Sequence, residues 1–219
     1  MPRMARVVVP GFPHHVTQRG IHKQQTFFCD EDFQLYLGLL KKGVSKVDAS
    51  ILSYCLMPNH VHVIVAPGKK DSLGKLFGWV HGRYAQLINQ KRQWFGHLWQ
   101  ARFYSTVMDE AHTLAAMRYV ELNPVRAGLC TRPEGWRWSS IHAHLGEVED
   151  RLVDSHVLKK ILPDWSSYVR ASQSEAFNES IRRQTRSGRP MGDDDFIDMV
   201  EVVTGRPVRK KPPGPQRSS

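Results

Sequence analysis

SILSYCLMPNHVHVIVAP, residues 50–67, reads as two strands folded back on each other. Pro58 and Asn59 supply the turn, because proline presets φ and asparagine tolerates a tight bend. Both arms are rich in the branched and aromatic side chains that suit a pleated, half-buried surface. Successive side chains of a strand point to opposite faces, so His60 and His62 share one face while Val61, Val63 and Val65 share the other. A sheet that buries the valines therefore presents two imidazoles side by side on its reverse.

Outward from this hairpin the chain alternates between strand and helix patterns. HHVTQR at 14–19 reads as an earlier strand, with Val16 and Gln18 on one side and His15 and Thr17 on the other. DEDFQLYLGLLKKGVSKV follows, with Phe33, Leu37 and Leu40 at helical spacing and Asp30 or Asp32 near its start as cap or dipole partner. After the hairpin, Leu73, Leu76, Phe77, Val80, Tyr84, Leu87 and Ile88 form the apolar stripe of a second helix. LWQARFYSTVM offers a fourth strand, and DEAHTLAAMRYVELN a third helix stopped at Pro124.

The order β-α-β-β-α-β-α predicts an α+β fold over residues 1–148. It is a ferredoxin-like split β-α-β layout, an antiparallel sheet with helices packed on one face and the other face left free for a site. Residues 149–204 read as a mostly helical C-terminal extension, a candidate DNA-binding element. From Gly205 to Ser219 there are five basic residues, four prolines and no acid. Such a segment has little apolar surface to bury, which predicts a disordered basic tail.

Composition narrows the class. Lys and Arg outnumber Asp and Glu by 31 to 21 in 219 residues, a net charge of +10. A balance of that size points to a polyanionic partner, nucleic acid first, against the alternative of an inert basic surface. No run approaches the ~18 apolar residues of a membrane span, so no membrane partner is expected. MPRMARVVVPGFPHH lacks the apolar core and cleavage site of a signal peptide. Cys29, Cys55 and Cys130 lie far apart without a CxxC pair, as reduced thiols do. A cytoplasmic, nucleoid-associated protein is expected.

Two neutral imidazoles on one strand face make half of a divalent metal site, although such a pair also occurs as satisfied interior. In the third helix Tyr119 and Asn123 are four residues apart and share one face. A tyrosine hydroxyl is a possible nucleophile, and an amide oxygen is a hard ligand suited to Mg²⁺ or Mn²⁺. Ordinary packing beside Val120 and Leu122 is the alternative for Tyr119. Trp94, Phe95, Trp99, Arg102, Trp136 and Trp138 interleave with Arg92, Arg126 and Arg137, a composition suited to stacking bases and holding phosphates, or to a tryptophan-rich core. Arg83, and Arg206, Arg209, Lys210 and Lys211 in the tail, complete the candidate DNA contacts.

PNHVHVIV, GHLWQARFYSTVM, RYVELNPVRAGL and GWRWSS, in this order, closely resemble the REP-associated tyrosine transposases. These are single-tyrosine, IS200-like members of the HUH superfamily, and the resemblance spans about residues 4–145. It implies that His60 and His62 bind a divalent metal, Mg²⁺ or Mn²⁺, with Asn123 as a further ligand. It implies that Tyr119 is the nucleophile; Tyr84, on a helix amid Arg83, Lys91 and Arg92, is the rival. The implied activity is metal-dependent cleavage and strand transfer of single-stranded or hairpin DNA from repetitive extragenic palindromes, through a covalent 5′-phosphotyrosine. Relatives include monomers and dimers. Two other readings are a catalytically inactive DNA- or RNA-binding regulator on the same fold, and a zinc hydrolase built on the histidine pair.

Overall fold

The computed structural model describes residues 6–153, 158, 161–171 and 174–209. Four strands, β1 (His14–Arg19), β2 (Ala49–Met57), β3 (His60–Pro67) and β4 (Tyr104–Val107), form one antiparallel sheet in the order β2-β3-β1-β4. This is the expected split β-α-β topology. The fourth strand is shorter than LWQARFYSTVM suggested. Leu98 and Gln100 instead exchange backbone hydrogen bonds with Ile21 and Arg19, so Leu98–Phe103 runs as a loop along the end of β1.

Helices α1 (Asp30–Val44) and α2 (Ser72–Arg92) pack on one face of the sheet. Val16, Val61, Val63 and Val65 point into that layer, against Tyr36, Leu40, Phe77, Val80 and Tyr84. The start of α1 is held by Asp32, whose Oδ2 accepts from the Phe28 amide at 2.9 Å.

The opposite face is not left bare. Helix α3 (Glu110–Glu121) crosses it, capped by Asp109, whose carboxylate accepts from the His112 amide at 2.7 Å. Met117, Tyr119 and Val120 of α3 pack with Cys55, Met57 and Ile64 of the sheet. A single turn residue, Leu122, its backbone still in the right-handed helical region, joins α3 to a short turn, α4 (Asn123–Arg126), so Pro124 opens a new helical turn rather than ending the old one. Proline fits there because its missing N–H would be unpaired in a first turn anyway.

Helix α5 (Ile141–His144) and the C-terminal extension finish this second layer. The extension comprises α6 (Trp165–Arg170), α7 (Glu175–Ser187) and α8 (Asp194–Thr204), the last two opened by Ser174 and Asp193 as side-chain caps. Met191 ties it to the end of β4, its amide donating to Val107 and its carbonyl accepting from Asp109.

The expected tail boundary moves. Val208 is buried in a small cluster with Val7, Val9, Val107, Phe196 and Val200, so residues 205–209 belong to the packed molecule. Lys210 and Lys211 lie outside the described residues.

Candidate active site

The alternation read from residues 60–65 places His60 and His62 on the sheet face beneath α3. Register brings Thr17 opposite His62 and Arg19 opposite His60, so β1 adds its own odd-numbered side chains to the same face. Between this face, the α3–α4 junction and α7 lies a cleft of about 580 Å³. His15, Thr17, Arg19, His60, His62, Tyr119, Asn123, Arg126 and Arg182 are among its lining residues. Its charged lining is wholly basic: Arg19, Lys23, Arg126 and Arg182, with no carboxylate among the described residues.

Each of the two histidines is held through its Nδ1. Nδ1 of His60 meets Asn59 Oδ1 at 2.6 Å, and since an amide oxygen only accepts, that ring nitrogen carries the proton. Nδ1 of His62 meets Nε2 of His15 at 2.8 Å, the two rings stacked with centroids 5.0 Å apart. In each ring Nε2 has no hydrogen-bond partner among the described residues. Burial pushes the pKa of His60 down to about 3, with the Arg19 charge acting in the same direction. Burial, then the neighbouring His60 and His15, holds His62 well below the usual imidazole range. Both rings are therefore neutral near pH 7, the form in which imidazole binds a metal.

Tyr119 stands over them. Its ring centroid is 6.1 Å from that of His62 and 6.4 Å from that of His15, both edge-on. Arg126 covers the tyrosine ring at 4.0 Å and also donates to the Tyr119 carbonyl. Arg182 of α7 reaches the same tyrosine: its pairing with Glu175, then its hydrogen bond with the Tyr119 side chain, raises the guanidinium above its ordinary value. One helical turn on, Asn123 also faces the cleft, and its Nδ2 is buried without a partner. An amide whose nitrogen is tied to nothing fits a carbonyl oxygen presented to a cation. Two bare imidazole nitrogens and one amide oxygen thus line the same cleft, a donor set that would suit a hard divalent ion. Among the described residues no group of three or more His, Cys, Asp or Glu side chains is placed to hold a metal ion by itself.

The family model of the IS200-like transposases matches residues 13–123, half of the chain and the elements that line this cleft except most of α4 and α7. The chain belongs to the IS200-like transposases. Two solved structures are similar to it. One, the REP-associated tyrosine transposase bound to a REP hairpin, has a TM-score of 0.59 at 14% identity, covering 70% of this chain and 98% of the other. The second is a structure from Deinococcus radiodurans described as a transposase, with a TM-score of 0.39 at 17% identity, covering 55% and 96%. The first match establishes a shared fold. No curated protein matches the chain.

The transposase cleft gathers His60, His62, Tyr119, Asn123 and Arg126 from the residues the sequence pointed to. The rival Tyr84 lies on the other side of the sheet, fully buried, donating to the Thr26 carbonyl at 2.7 Å, and burial pushes its pKa up. It cannot reach the cleft. Trp99 is corrected to a core residue: it packs in the α1–α2 layer and its Nε1 donates to the His81 carbonyl. Arg209, expected to be free of acids, is paired with Asp194 and Asp198 at 3.0 and 2.6 Å, and Arg206 donates to the Arg6 carbonyl. The segment 205–219 has no acid of its own, but α8 supplies two.

The remaining cations lie outside the cleft. Arg137 pairs with Asp30 and covers Trp138, Arg83 bonds Gln86, and Arg102 is exposed. Arg92 lies over Phe28 at 3.9 Å and beside Trp94; next to it Phe95 is fully exposed. Sequence reading missed His15, Arg19, Arg182 and Thr185. For His15 and Arg19 the signal was present, since the alternation of β1 puts both on the His62 face. For Arg182 and Thr185 there was none, because only tertiary docking brings α7 to the cleft.

Proposed function

We propose that this transposase cuts and transfers single-stranded DNA folded as a hairpin, with Tyr119 as nucleophile and a divalent ion, Mg²⁺ or Mn²⁺, on His60, His62 and Asn123. Support for the hairpin substrate comes from the shared fold with a transposase solved on a REP hairpin, and from a cleft lined by four cations and no acid. The observation that carries the reading is the Tyr119 ring at 6.1 Å from that of His62 across this cleft.

In the proposed reaction the Tyr119 oxygen bonds to phosphorus as the P–O3′ bond breaks, giving a 5′-phosphotyrosine and a free 3′-OH. The phenolic proton leaves and the departing 3′ oxygen takes one up. Bond type is conserved, so a DNA 3′-OH can reverse the step, which suits strand transfer. A bound divalent ion supplies neutralisation of the phosphate charge that otherwise repels the nucleophile. Arg126 and Arg182 bracket the tyrosine and stabilise negative charge developing on its oxygen. His60 and His62, neutral at Nε2, and Asn123 hold the ion.

Incubation with labelled hairpin DNA and Mn²⁺ tests this. A covalent protein–DNA adduct that survives denaturation is expected, and Tyr119→Phe should abolish it while the hairpin still binds, because only the hydroxyl is lost. An adduct undiminished in Tyr119→Phe sinks the assignment.

A further inference from the structure

Burial beyond that of the two strand histidines marks His15. It is 1% exposed, in a layer that also holds Thr185 at 9%. Its two ring nitrogens are both engaged: Nε2 with Nδ1 of His62 at 2.8 Å, Nδ1 with Thr185 Oγ1 at 3.1 Å. A chain of three side chains thus runs from α7 through β1 to β3. Nothing in it contacts solvent freely, and a buried polar chain of this kind persists only when every member is satisfied.

Two proton arrangements are compatible with these contacts. In the first, Nδ1–H of His62 donates to His15 and Nδ1–H of His15 donates to Thr185, leaving Nε2 of His62 a bare lone pair. In the second every bond reverses, and Nε2 of His62 carries a hydrogen. Arg19, Arg126 and Arg182 surround the cleft side, and their positive field favours a lone pair over an N–H there. The neighbouring His60 is already fixed with its proton on Nδ1 by Asn59. The same arrangement on His62 makes the two rings a matched pair.

We propose that His15 is a positioning residue that, anchored by Thr185 of the C-terminal extension, fixes the ring and tautomer of His62 so that its bare Nε2 faces the cleft. This rests on the reading of His62 as a cation ligand. It gives the extension a part in the site that the segment shared with the family, residues 13–123, does not contain. Outer partners of this kind orient a ligating imidazole and tune its basicity, and their loss costs about 10–100-fold in metal affinity.

The test is long-range ¹H–¹⁵N NMR of histidine-labelled full-length protein without metal, paired with Mn²⁺ titration by calorimetry. Wild type should show His62 protonated on Nδ1. Thr185→Val, which keeps the side chain's shape but removes the hydroxyl, should broaden or mix that tautomer and weaken Mn²⁺ binding about 10-fold or more. Thr185→Ser should restore both, which a merely structural role of the methyl group would not do. His15→Gln should act as Thr185→Val does; should it fail to fold, the Thr185 pair decides alone. A His62 proton on Nε2 in wild type, or equal Mn²⁺ affinity for wild type and Thr185→Val, overturns the inference. Absence of Mn²⁺ binding or of the DNA adduct in wild type would instead overturn the functional reading, and the tautomer spectrum would still decide the role of His15.

Discussion

His60 and His62 look equivalent in the sequence, yet they are held by different devices. Asn59, the residue that makes the hairpin turn, orients His60, so turn chemistry and site chemistry share one side chain. His62 depends on His15, 47 residues earlier, and through it on Thr185. Removing either ring should stop cleavage while hairpin affinity changes no more than a few fold. The ion acts at a single scissile phosphate, whereas affinity is spread over many basic contacts. Cleavage assays beside filter binding of His60→Ala and His62→Ala check this, and near-normal cleavage by either variant, or by wild type in EDTA, would remove the metal from the mechanism. The strand alternation that identified the pair was legible because it is local: it needs only that Val61 and Val63 turn inward. Thr185 was illegible because nothing near it in sequence refers to residue 62.

At the scale of elements, the end of α3 explains how Tyr119 is held. Glu121, two residues after Tyr119, is fully buried and accepts from Ser140 Oγ at 2.7 Å, from His144 Nδ1 at 2.5 Å and from Trp165 Nε1 at 2.9 Å. A buried acid at a helix C-terminus opposes the helix dipole, so its presence there has to be compensated by such donors. The result is a clasp that joins α3 to α5 and α6. Glu121→Ala should cost at least about 3 kcal/mol, because each buried donor left unpaired costs about 1–3 kcal/mol. Urea denaturation measures it, and a loss under about 1 kcal/mol would show that the clasp is not what fixes α3. Sequence periodicity revealed α3 but not its face. An apolar stripe says that a helix packs, and both sides of this sheet offer apolar partners, Val63 on one and Ile64 on the other. The expectation of helices on a single face failed for that reason, and the site proved to be a cleft between the sheet, the α3–α4 junction and α7 rather than a bare sheet surface.

For the whole molecule, the question is where the packed chain gives way to basic sequence that can meet DNA. Composition alone drew the line at Gly205, but Val208 at 1% exposure and the pairing of Arg209 with Asp194 and Asp198 carry the packed chain at least as far as Arg209. The amides of Val208 and Arg209 also donate to Glu201, and Arg189 donates to the Val208 carbonyl. Two truncations should therefore behave differently. Deleting 205–219 removes a buried valine, worth about 1.5–3 kcal/mol, together with the bonds that hold α8, so the thermal midpoint should fall. Deleting 210–219 removes Lys210, Lys211 and Arg217 and should leave the midpoint unchanged, since every contact just named is retained. Its effect should appear in the salt dependence of hairpin binding, because each lost phosphate contact lowers the slope of log K against log salt by about 0.7–0.9. Three cations set an upper bound of about 2–3 on that change. The site of cleavage should not move, since the cleft is complete without these residues. Equal salt slopes for the full chain and the shorter deletion would show that Lys210, Lys211 and Arg217 make no phosphate contacts, and DNA would then be met by the basic residues of the cleft and the folded surface.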